Sequence, residues 1–101
     1  MNNTIRTLQS IIDRNTNAIR HFGMILYSLN NRLEYLKYQH IMEEFSTQEY
    51  FERHDLVRKD IKTIKNDIKR KANEQRVLKK LIADEIEIAN FNRKFEWEEL
   101  V

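Results

Sequence analysis

The sequence has no cysteine, no proline and a single glycine in 101 residues. Without cysteine there is no disulfide framework, no thiolate zinc site and no cysteine nucleophile. Without proline, and with Gly23 as the lone glycine, architectures built on frequent tight turns, such as sandwiches and small barrels, are excluded. Glycine-rich phosphate loops and dinucleotide fingerprints are excluded with them. No apolar run approaches the roughly 18 residues that a membrane span requires. The polar start Met1-Asn2-Asn3-Thr4 leads into no apolar signal core and carries no lipidation motif. The expected compartment is therefore the cytoplasm, of a cell or of an infected host.

What is present is helical. Ile5, Leu8, Ile12, Asn15, Ile19, Phe22, Leu26, Leu29, Leu33 and Leu36 alternate spacings of three and four without a slip. That is a sustained a/d heptad, the mark of a coiled-coil seam. Asn15 is its one polar position, either partly exposed or buried as a register-fixing residue. Ile11, Ala18 and Ile25 widen the stripe, as in a helix with more than one neighbour. Gly23 falls inside the pattern and reads as a close-approach site or a slight bend.

A turn is expected near residues 45–48, where Ser46-Thr47-Gln48-Glu49 matches a capping box. Helix 1 then covers about 3–45 and helix 2 about 47–99. In the second half Val57, Ile61, Ile64 and Ile68 keep the three-four rhythm. Residues 69–76, KRKANEQR, contain only Ala72 as an apolar side chain, and the pattern resumes with Leu78, Leu81, Ile82, Ile88, Phe91 and Phe95 in what reads as a shifted phase. The segment is a polar stretch of one helix, or a break that makes three. The fold class expected is all-α: a long antiparallel hairpin in one domain, coiled-coil-like, that assembles into an oligomeric bundle, with a dimer favoured.

Two groups of residues are candidates for protein contact. Met24, Tyr27, Tyr35, Tyr38, Met42 and Phe45 also recur at three-to-four spacing, opposite the heptad face. A helix that is apolar on two sides calls for a second buried interface. Near the carboxyl end Phe91, Phe95 and Trp97 are interleaved with glutamates, a pattern suited to docking on a partner's groove or on a basic surface.

Net charge is +2, but it is unevenly placed: residues 58–80 carry ten basic and three acidic side chains, and residues 81–101 two and six. Arg58, Lys62, Lys65, Lys69, Arg76 and Lys80 fall along one side of a helix as an unneutralised row. Such a row fits a phosphate backbone or an acidic protein, or is only a solvated face. No zinc, RRM or KH signature accompanies it.

The three histidines, His21, His40 and His54, form no metal-binding pair at helical spacing, although His40 and His54 can meet across the hairpin. No cofactor or metal is expected. Arg14 and His21, with six residues between them, share a helical face. Their R-x6-H spacing resembles the motif of HEPN-type helical ribonucleases over eight residues, although that motif usually lies on a later helix. The resemblance implies His21 as general acid or base and Arg14 as a stabiliser of phosphate charge. The leading expectation is a non-enzymatic interaction protein, of the kind that small phage, viral or bacterial assembly factors, adaptors and inhibitors represent. Nucleic-acid binding through the basic row is the alternative, and the helical ribonuclease is the remote one.

Overall fold

The computed structural model describes the backbone of residues 3–100 and the side chains of residues 3–94. These residues form two α-helices, α1 (Asn3–Ile41) and α2 (Thr47–Leu100), and no strand. The chain reverses between them, giving a helical hairpin. Residues 69–76 lie inside α2 without a break. Lys, Arg, Ala, Glu and Gln are strong helix formers, so propensity sustains the helix where apolar packing is thin.

The reversal has a defined chemistry at both ends. α1 stops at Ile41, short of the expected residue 45, because Glu43 turns left-handed with φ 61°. Its N–H donates to the His40 carbonyl (3.1 Å) and that of Glu44 to the Gln39 carbonyl (2.9 Å). This pair of bonds is a Schellman motif with glutamate where glycine is usual. At the start of α2, Ser46 Oγ accepts the Glu49 N–H at 3.1 Å, and the Ser46 carbonyl accepts the Tyr50 N–H at 3.0 Å. Ser46 is thus the N-cap, satisfying one of the donors that a helix start leaves unpaired.

Contacts divide the chain into two compact units, Ala18–Lys71 and Met1–Asn17 with Ala72–Val101. In the first, Leu36, Val57 and Ile61 are buried together, and Leu26, Leu29, Leu33, Phe45 and Tyr50 pack against them. Phe45, grouped by sequence with the outer stripe of α1, belongs here instead. Once the helix ends at Ile41 the helical phase no longer governs it, and it folds onto the core under the Arg53 guanidinium, 4.3 Å from the ring centroid. In the second unit Ile12 and Asn15 are buried. Gln75 Nε2 donates to Thr16 Oγ1 at 2.7 Å, and Thr16 donates to the Ile12 carbonyl at 2.9 Å. Asn15 is therefore the buried polar residue rather than the exposed one.

Burial along α2 keeps a single three-four rhythm: Val57, Ile61, Ile64, Ile68, Lys71, Gln75, Leu78, Ile82 and Glu85 are buried or half-buried. The expected shift of phase does not occur, because Lys71 and Gln75 occupy seam positions and carry the register through the polar stretch. Gly23 is exposed, and a Cβ built on it meets nothing within 4 Å, so it is not a close-approach site.

Candidate interaction surfaces

The a/d residues of α1 are all buried or half-buried, which fixes the opposite side of the helix outward. Met24, Tyr27, Tyr35, Tyr38 and Met42 are 54–70% exposed there. With 3.6 residues per turn they lie about half a turn from the seam, in a line roughly 27 Å long. Asn31 fills the gap between Tyr27 and Tyr35, and Tyr35 stacks on Tyr38 with ring centroids 6.3 Å apart. The row itself is uncharged, and exposed Glu34, seven residues from Tyr27 and four from Tyr38, borders its middle. Large apolar groups in a contiguous, uncharged row mark an interaction site more reliably than single exposed ones do.

A second apolar row went unread in the sequence. Val77, Leu81, Ile88 and Phe91 are exposed on one flank of α2 with Asp84 among them, while Leu78 and Ile82 turn inward and are half-buried. The apparent resumption of one stripe was two adjacent stripes, a seam and a flank. The spacing 77, 81, 84, 88, 91 held the signal, masked by the charge at its centre. Of the carboxyl-terminal aromatics only Phe91 is among the described side chains; Phe95 and Trp97 lie outside them.

All six residues of the basic row are exposed. Among the described residues none of them forms an ion pair. Asp60, Asp67 and Glu74 recur every seven residues on the other flank of α2, and the Arg70–Asp67 pair (3.4 Å) is on that side. In the Ala18–Lys71 unit the row borders a groove of about 670 Å³, lined by four cations, Arg58, Lys59, Lys62 and Lys65, and one carboxylate, Asp55, from α2, with Asn30 and Leu33 from α1. Arg76 and Lys80 belong to the other unit. The sequence pointed to the cations but not to Lys59, nor to Asn30 and Asn66, which bring amide donors to the same groove.

His40 and His54 do approach the same place, but Tyr50 lies against both. Its ring stacks on His40 at 4.3 Å and tilts against His54 at 5.4 Å. The described residues hold no cluster of three or more metal-ligating side chains. Arg14 and His21 are exposed on α1. No described helix is long and apolar enough to cross a membrane. No family model, curated protein or solved structure matches the chain.

Proposed function

We propose that the protein is a non-enzymatic interaction protein, a helical hairpin that self-associates and engages protein through its surface, as an assembly factor, adaptor or inhibitor does. The observation that carries this reading is the outer stripe of α1, where Met24, Tyr27, Tyr35 and Tyr38, with Met42 just past the helix end, stand exposed in register. Leaving such a row in water forgoes roughly 25 cal/mol for each Å² of apolar area that a partner would cover. The test is mass in solution by light scattering at micromolar concentration. The expected result is a multiple of the 12.4 kDa chain, dimer first. A monomer at that concentration refutes self-association.

A second reading is polyanion binding, favoured by the unpaired cations and amides around the groove at Arg58–Lys65. Binding to random duplex or single strands should then weaken steeply with salt. Reversing Lys62, Lys65 and Lys69 to Glu should abolish it while helicity is kept. Unchanged binding by that variant would leave the row as a solubilising face.

A further inference from the structure

The outer face of α1 is nearly a palindrome. Its outward positions run Met24, Tyr27, Asn31, Tyr35, Tyr38, Met42, and reversal about residue 33 sets Met on Met, Tyr on Tyr and Asn31 beside Tyr35. We infer that this face is where two copies of the chain pair, α1 against α1, antiparallel about a two-fold axis at the level of Leu33. The inference rests on the self-association proposed above and names its surface and geometry.

A two-fold contact uses the same patch on both copies, so the patch must be self-complementary. Reversed, the two methionines coincide, Tyr27 and Tyr38 fall within one residue of each other, roughly 1.5 Å along the helix, and only the central Asn31 and Tyr35 differ in kind. Met24 meets the partner's Met42, and Tyr27 meets the partner's Tyr38. At the axis Asn31 lies beside the partner's Tyr35, an amide with donors and acceptors next to a phenol that can do either. The midline of the row carries no charge that must be stripped of water, a cost that would otherwise offset the gain; Glu34, beside Tyr38 at the edge, keeps its carboxylate in solvent.

The size is adequate. At the observed exposures, with about 150–250 Å² for each tyrosine and somewhat less for methionine, the row offers up to about 700 Å² per copy. A standard specific interface buries about 800 Å² per partner. Ile41, 67% exposed at the edge of the row, adds to it.

The competing faces fail the same symmetry test. The flank of Val77, Leu81, Ile88 and Phe91 is centred on Asp84, so an antiparallel contact there sets one carboxylate against its copy. The basic row would face its own cations. Like charges in a symmetric contact are destabilising; on α1 the one carboxylate near the axis, Glu34, lies at the exposed edge of the row and not on its midline.

Single-cysteine variants of the full chain test this, since the native sequence contributes no background thiol. Met24→Cys and Met42→Cys are oxidised separately and as an equilibrated equimolar mixture. The mixture should form the 24–42 disulfide and each variant alone should not, because equivalent positions lie about 27 Å apart in the antiparallel pair. Tyr27→Glu with Tyr38→Glu should halve the mass with helicity unchanged. A Met24→Cys homodimer would mean parallel pairing and overturn the inference. An oligomer without the 24–42 link overturns it and leaves self-association standing on another face. A wild-type monomer overturns both.

Discussion

Asn15 sits in the seam, 7% exposed, with no acceptor for its Nδ2. In the same unit Gln75 Oε1 is buried without a donor, while its Nε2 is committed to Thr16. A buried polar atom left unpaired costs about 1–3 kcal/mol. Leucine has the branching of asparagine and returns about 1.5–3 kcal/mol when buried, less about 1–3 kcal/mol if the larger side chain crowds its neighbours. Asn15→Leu should therefore stabilise the hairpin by about 2 kcal/mol, the balance of those terms. For a chain of this size each kcal/mol shifts Tm by roughly 4–8 °C, so the midpoint should rise by about 10 °C. The assay is thermal unfolding by circular dichroism at one fixed protein concentration, because the proposed self-association would make Tm depend on concentration. A urea series should show a higher midpoint at unchanged slope. An unchanged or lowered Tm would refute the reasoning, since it would mean that the amide is paired in solution. The gain should cost specificity, because an all-apolar seam penalises a slipped register less than one with a buried amide does. Doubled amide resonances in the variant would record the slip.

Three further substitutions probe local features. Gly23→Ala should stabilise by about 1 kcal/mol in thermal unfolding, since the helix gains propensity and the new methyl meets nothing; a loss would place an unseen contact at that site. Glu43→Gly should be stabilising by about 0.5 kcal/mol, the left-handed penalty of roughly 1–2 kcal/mol less the greater backbone entropy of glycine. Ser46→Ala should cost about 1 kcal/mol by removing the acceptor for the Glu49 N–H, and an equal stability would show that water caps the helix as well as serine does.

The seam of α1 was legible from Ile5 to Leu36 because its a/d positions are nearly all apolar. So was the N-cap, since Ser46 followed by Glu49 states its own hydrogen bond. The end of α1 was not legible. Chains usually announce a Schellman turn with glycine or asparagine, and here glutamate takes the strained position. The register of α2 was lost for a related reason. Periodicity is read from apolar residues, and at Lys71 and Gln75 the seam is held by side chains with long apolar stems and polar heads. With those two positions skipped, Leu81 and Ile88 were read into the seam, although they lie on the flank. The basic row was visible as a charge pattern. The groove beside it was not, because Asn30 reaches it from the other helix and only the fold brings the two together.

The proposed pairing of α1 and the basic row of α2 are linked by symmetry. A two-fold axis that relates antiparallel helices lies in the plane of their contact, perpendicular to both, and keeps each side of the layer on its own side. In the Ala18–Lys71 unit the cations Arg58, Lys62 and Lys65 line the groove on the same side as Asn30. Pairing through the outer face of α1 therefore presents the rows of both copies on one side of the dimer, and leaves Asp60 and Asp67 of both on the other. A polyanion crossing that side meets two rows where a single hairpin offers one. Each phosphate neutralised contributes about 0.9 to the slope of log affinity against log salt on duplex DNA. The monomeric Tyr27→Glu, Tyr38→Glu variant should then bind duplex with about half the wild-type slope, although none of its altered residues is a cation. Fluorescence anisotropy across a salt series measures it. Equal slopes in dimer and monomer would mean that the two rows do not share a face, and would count against the antiparallel geometry independently of any crosslink.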